Sequence, residues 1–284
     1  MRLLHWNIQW CRGLDGAVDP ARIARTAREL CDPDVLCFQE VAVNFPALEG
    51  SRGEDQAALL AGEFPGYAAA FGWGVDVPDG ARGRRRFGNL ILSRLEVRQV
   101  HRHLLPWPAD SGVPSMQRAA VEAVIAAPAG LVRVATTHLE YYSARQRAAQ
   151  VERLRELHAE ACAHADALPS ERYESGPFEP FARPVSAILT GDFNLPPEDA
   201  LHARLLEPFA AQGVPRLLDA WQQAHAAEPH APTFCVHERD YADTPYCCDY
   251  VFVTEDLAPR LRAVRVDGAT RASDHQPVIV ELQD

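Results

Sequence analysis

The chain has 284 residues, 47% of them hydrophobic and 24% charged, a composition that excludes a disordered chain. It has no apolar run near the roughly 18–20 residues of a membrane span. The formal charge is −11, from 28 basic and 39 acidic residues, and every basic residue is arginine. Lacking lysine, the chain can form neither a Schiff base nor a G-K-[ST] phosphate loop. Net acidity also disfavours generic polyanion binding, unless an arginine cluster or a bound metal supplies local positive charge.

Residues 2–8 read as a strand. Asp19-Pro20 starts a helix, with Asp as N-cap and Pro in the first turn, and Ile23, Ala27 and Leu30 form its apolar stripe. Val35 to Gln39 is a short strand, apolar enough to be buried on both faces. Asn89 to Ser93 reads as another. Ala119–Ala126 and Leu131–Leu139 flank the turn 127–130 as a hairpin. A helix over about 144–167 opens with Ser143 and Gln146 as a capping box. Val185–Thr190 is a strand, Pro197–Leu206 a short helix, and Asp249–Thr254 and Val278–Leu282 are the last strands. Two segments read as long irregular loops: Val75–Phe87, with Arg82, Arg84, Arg85 and Arg86, and Pro169–Pro184, with Tyr173, Phe178 and Phe181.

Seven cysteines show no C-x-x-C pair and no zinc spacing. They read as buried thiols of a reducing compartment. With a strand-like start in place of a signal peptide, the expected location is the cytoplasm.

The strands end in one chemical type: Asn7, Gln39-Glu40, Thr137-His138, Asp192 and Asn194, Asp249, and Asp274-His275. Converging, these ends make a pocket of carboxylates and amides with two imidazoles. Such a set suits a hard divalent cation, Mg²⁺ with Mn²⁺ as the alternative, rather than zinc or copper. A Lewis acid beside a base that activates water points to phosphoester hydrolysis. His5, His101, His103, His202 and His225 show no such context and read as structural or exposed.

The motifs Trp6-Asn7-Ile8, Gln39-Glu40, Gly88-Asn89-Leu90-Ile91-Leu92-Ser93, Thr137-His138-Leu139, Gly191-Asp192-Phe193-Asn194, Asp249-Tyr250-Val251-Phe252 and Ser273-Asp274-His275 together resemble the exonuclease–endonuclease–phosphatase (deoxyribonuclease-I-like) superfamily. They fall in the family's order and span nearly the whole chain. The resemblance implies one catalytic domain over 1–284. Its fold would be an α/β four-layer sandwich, two packed mixed β-sheets flanked by helices. It implies that Glu40 is the principal metal ligand, helped by Asn7 and Asp274. Asp192 and Asn194 would orient or deprotonate the attacking water. His275, held by Asp249, would contact the scissile phosphate, and His138 would stabilise the transition state. Asn89 would support the site from behind, and Arg147 and Gln150 would make structural contacts.

Some nucleases of the superfamily carry an Asp two residues after the first-strand Asn. This chain has Gln9 there, which favours one-metal chemistry. The leading expectation is a Mg²⁺-dependent phosphodiesterase or nuclease, with Arg84, Arg85 and Arg86 gripping substrate phosphates. A small phosphoester or a phospholipid headgroup is the alternative substrate, and a catalytically silent scaffold the third reading.

Overall fold

A computed structural model of the chain describes residues 1–80, 83–167, 176–226 and 228–283. The first half runs β1 (Arg2–Asn7), α1 (Pro20–Leu30), β2 (Val35–Val43), α2 (Gln56–Glu63), β3 (Ala68–Pro78), β4 (Arg84–Ser93), β5 (Val97–Leu104) and β6 (Ala119–Ala127). The second runs β7 (Gly130–His138), α3 (Ala144–Asp166), β8 (Ala187–Asp192), α4 (Ala200–Leu206), β9 (Leu217–Asp219), α5 (Ala220–His225), β10 (Asp249–Thr254), β11 (Leu261–Val266) and β12 (Val278–Leu282). They form two mixed six-stranded sheets, ordered β11-β12-β1-β2-β4-β3 and β5-β6-β7-β8-β10-β9. The fold is the four-layer sandwich expected from the motifs.

Each sheet has one parallel pair at its centre, β1 with β2 and β7 with β8, and antiparallel neighbours outside it. Alternation at period two decides which side chains go where. Leu3, Val35, Cys37 and Ile91 face Val121, Val134, Ile188 and Val251 between the sheets. The intervening residues Leu4, Trp6, Leu36 and Phe38 pack on Ile23 and Ala27 of α1. Leu189 and Phe252 pack with Val151, Leu154 and Leu157 of α3. The strand over Val35–Gln39 is therefore buried on both faces, as its composition predicts.

Local chemistry sets the helix starts. Asp19 Oδ1 accepts from Arg22 N at 3.0 Å with Pro20 in the first turn, and Ser143 Oγ accepts from Gln146 N at 3.1 Å. Only half of the expected capping box forms, because the Gln146 side chain donates to Pro108 O instead.

The expectation of an irregular loop over Val75–Phe87 is corrected. Val75–Pro78 and Arg84–Phe87 are paired strands of β3 and β4, with Val75 opposite Phe87, Asp76 opposite Arg86 and Pro78 opposite Arg84. Arg82 lies outside the described residues. Gly72 and Gly74 disguise β3 as a loop, and both permit close packing. A Cβ at 72 would stand 2.8 Å from Val121 Cβ, and one at 74 would stand 2.0 Å from Gln117 O. Tyr173 also lies outside the described residues, while 176–184 carries no helix or strand.

Candidate active site

The layer between the sheets is apolar until its last step, where it turns polar. On the inner face of β1, Leu3 is followed by His5 and Asn7; on β7, Val134 by Thr136 and His138; on β8, Ile188 by Thr190 and Asp192. Asp192 stands in register with His138 on one side and Asp249 on the other. The carboxyl ends of both parallel pairs thus open on one spot, the usual ligand position in such sheets.

Glu40 reaches this spot by breaking the alternation. Unbroken, period two would send Glu40 outward with Leu36 and Phe38. A register shift between Phe38 and Val41 and a left-handed backbone at Glu40, φ 58°, turn it into the pocket. Bulges and strained residues are common devices for re-aiming a functional side chain. Asn194 has the same left-handed conformation, φ 52°, and its Nδ2 donates to His138 Nε2 at 3.0 Å and Leu139 O at 2.9 Å.

The polar groups are tightly coupled. His275 Nδ1 lies 2.8 Å from Asp249 Oδ2, the dyad expected from the motifs. His275 Nε2 then faces Asp192 Oδ2 at 3.7 Å. Burial works against the charged ring, but Asp249 and Asp192 outweigh it and hold the His275 pKa well above its ordinary value. Burial, then Asp249, raises that of Asp192. His138 goes the other way: burial, then the Arg118 charge, holds it well below the usual histidine range. With Nε2 accepting from Asn194, the neutral ring carries its proton on Nδ1, 3.8 Å from Glu40 Oε1.

A cation fits this donor set. Glu40 is pushed up to about 7 by burial, then by the charges of Asp274 and Asp192. Asp274 is likewise raised by burial. Crowded, poorly solvated carboxylates of this kind are relieved by a hard divalent ion. Asn7 is differently turned than a ligand would be. Its Nδ2 donates to Asp192 Oδ2 at 2.9 Å and to Glu40 Oε1 at 3.4 Å, while its Oδ1 accepts from Gln9 N at 3.1 Å.

Asn89 sits behind the pocket, donating to Ala119 O at 2.8 Å. Arg147 and Gln150 make structural contacts, Arg147 donating to Glu140 O and Gln150 accepting from Glu140 N. Arg84, Arg85 and Arg86 are on β4 and already engaged. Arg84 and Arg86 share Asp76, at 2.7 and 3.6 Å; Arg85 lies 3.9 Å from Asp79 and over the Phe45 ring.

Two residues escape the motifs. His5 is fully buried, with Nε2 3.2 Å from Asp249 Oδ1; in the sequence it is one polar letter inside a strand. Arg118 lines the pocket, anchored through Nε to Glu140 Oε2 at 3.2 Å, with a buried NH1 that has no partner among the described residues. Nothing about Gln117-Arg118 in the sequence marks it. The pocket measures about 490 Å³, and its walls are largely aromatic and apolar, including Trp10, Phe45, Phe87, Tyr141, Phe234 and Tyr241.

Two mixed sheets bearing a cluster of carboxylates, amides and imidazoles at the ends of their central strands define a metal-dependent phosphoester hydrolase of the α/β sandwich class. The chain belongs to the Endonuclease/Exonuclease/phosphatase family, whose profile matches residues 4–275. No curated protein matches it in sequence. Among solved structures, it is similar to an endonuclease/exonuclease/phosphatase from Beutenbergia cavernae (26% identity, TM-score 0.67, covering 99% of this chain and 70% of that one). The fold is also shared with a mannosyl-6-phosphatase from Bacteroides thetaiotaomicron (17%, TM-score 0.64, all of both chains). A third similar structure is D. rerio TDP2 complexed with a single strand DNA product (18%, TM-score 0.63, 99% and 97%).

Proposed function

We propose that the chain hydrolyses a small organic phosphoester with Mg²⁺. Glu40 and Asp274 would hold the ion, which would supply Lewis acidity toward a phosphate oxygen, and Asn7 braces Glu40 and Asp192. Asp192, made more basic by burial and by Asp249, orients the attacking water and takes its proton, with Asn194 beside it. His275, whose protonated ring Asp249 holds, donates from Nε2 to the ester oxygen that leaves as its P–O bond breaks. His138 donates from Nδ1, and the free NH1 of Arg118 binds a non-bridging oxygen.

The observation that carries the reading is the convergence on Asp192 Oδ2 of Asn7 Nδ2 at 2.9 Å and His275 Nε2 at 3.7 Å. The pocket volume supports a molecule of drug-like size, and its aromatic walls favour an apolar or aryl group on the ester. The second reading is a nucleic-acid substrate. The β4 arginines favour it, and the solved TDP2 structure holds DNA. Turnover of p-nitrophenyl phosphate and bis-p-nitrophenyl phosphate, beside single-stranded DNA, with Mg²⁺ and with chelator, tests the proposal. Absence of Mg²⁺-dependent turnover on both small esters rejects it, and turnover of DNA alone moves the substrate to nucleic acid.

A further inference from the structure

Away from the pocket, two more histidines, one buried and one half-buried, converge on one carboxylate. His202 comes from α4, Asp219 from the junction of β9 and α5, and His230 from the segment leading to Thr233. His202 Nε2 and His230 Nε2 each lie 2.8 Å from Asp219 Oδ2. The three side chains are 3%, 8% and 1% exposed for His202, His230 and Asp219. All three donor atoms lie within 4.8 Å of one another.

The arrangement is held in place from behind. Asp219 Oδ1 is committed to the start of α5, accepting from Trp221 N at 2.8 Å and Gln222 N at 3.3 Å, which leaves Oδ2 to the two rings. The His202 ring packs 5.0 Å from Tyr250, and the His230 ring 5.6 Å from the same tyrosine. The rings stand at 83° to each other, and both Nε2 atoms reach the one oxygen. Three of the four corners of a tetrahedron can be filled this way.

We propose that His202, Asp219 and His230 bind a transition-metal ion of the zinc class at a site separate from the catalytic pocket. Two imidazole nitrogens and one carboxylate oxygen are a borderline donor set that suits zinc and its first-row neighbours, and Mg²⁺ prefers all-oxygen donors. Zinc bonds of about 2.0–2.1 Å space tetrahedral donors about 3.3 Å apart, so each N–O separation opens by about half an ångström. His230, outside any helix or strand, can make that shift. The metal-free alternative is a carboxylate accepting two Nε2–H bonds, and it uses the same three residues.

The site has a mechanical link to catalysis. Three residues after His230, Thr233 Oγ1 accepts from Cys248 N and Asp249 N, each at 3.2 Å. The next residue, Phe234, stacks its ring 4.4 Å from that of His275. An ion at His230 clamps the segment that presses on the catalytic dyad.

The experiment uses the full chain, stripped with chelator and held in excess Mg²⁺, then titrated with Zn²⁺. Bound zinc per chain and the melting temperature are read for three proteins. Wild type should retain about one tightly held zinc and melt several degrees higher for it. The His275→Gln variant breaks the other candidate cluster, Asp192, Cys248 and His275, and should keep both responses. The His230→Gln variant preserves an N–H donor for Asp219 but is a poor zinc ligand, and should lose both. Zinc uptake and stabilisation equal in wild type and His230→Gln, or absent from wild type, would overturn the site in favour of the hydrogen-bonded triad. Should His230→Gln not fold, Co²⁺ in the wild type decides, since a tetrahedral visible spectrum supports the site and its absence rejects it.

Discussion

His5 Nε2 stands 3.2 Å from Asp249 Oδ1, on the oxygen that His275 leaves free. One carboxylate on the second sheet thus accepts from a strand of the first and from the loop before β12. Asp249→Asn and His5→Phe should therefore do different kinds of damage. Without the anion His275 loses its extra proton and the neutral ring can settle in the wrong tautomer, and kcat falls by about 10²–10⁴-fold, as for an orienting Asp in other triads. His5→Phe should cost about 1–3 kcal/mol of stability, the value of a buried hydrogen bond to a charged group, with a much smaller effect on kcat. Urea denaturation alongside steady-state kinetics separates the two.

Glu40→Gln removes a carboxylate but keeps its shape. Mg²⁺ affinity and kcat/KM should each fall at least about 100-fold, since even residues behind a metal ligand cost 10–100-fold. Calorimetric titration of Mg²⁺ checks it, and unchanged affinity would place the ion elsewhere.

Arg118→Gln should raise KM by about 10- to 100-fold, the 1.5–3 kcal/mol of a charged hydrogen bond, and raise the inhibition constant of inorganic phosphate in parallel. A change confined to thermal stability would assign Arg118 to the Glu140 ion pair alone.

Replacing Arg84, Arg85 and Arg86 with Ala should leave KM for a small ester within about twofold, because these are half-exposed ion pairs of little net strength. A steep rise in KM for DNA, with a flatter salt dependence, would shift the substrate to nucleic acid.

His158 supplies a pH dependence separate from catalysis. Its Nδ1 lies 2.8 Å from Arg133 NH2 and its Nε2 2.9 Å from Pro215 O, which suits the neutral ring. Burial, then Arg133, lowers its pKa to about 4. The unfolded chain, with a His value near 6.5, binds the proton first as pH falls. Stability should drop as pH goes from about 6.5 to 4, by about 3 kcal/mol at most from this residue. In His158→Gln the loss over that window should flatten, as read by denaturation midpoints at each pH.

Most of the site was legible because its residues interrupt apolar strands at their ends, where a buried polar group demands a reason. Asn7, His138, Asp192 and Asp249 all sit at such ends, and the structure brings them together. Glu40 was legible in identity but not in direction, since a left-handed backbone leaves no mark on a Gln-Glu pair. Arg118 and His5 belong to no strand-end pattern; only the folded chain shows what they face. The β3–β4 hairpin was hidden by glycines that serve close packing against Val121 and Gln117, while His202 gained its meaning from partners 17 and 28 positions away.

The polar end of the inter-sheet layer has a further consequence. Glu40 and Asn7 ride on one sheet, His138, Asp192 and Asp249 on the other, so the reacting geometry exists only while the two plates are seated at one offset. A slip of a single residue is about 3.3 Å, and a misplacement of even 1 Å can cost about 100-fold in rate. Turnover is thereby a vernier on interlayer seating. A cavity cut deep between the plates, as in Ile188→Ala, will register in kcat while each sheet, taken alone, keeps its hydrogen-bonded ladder intact.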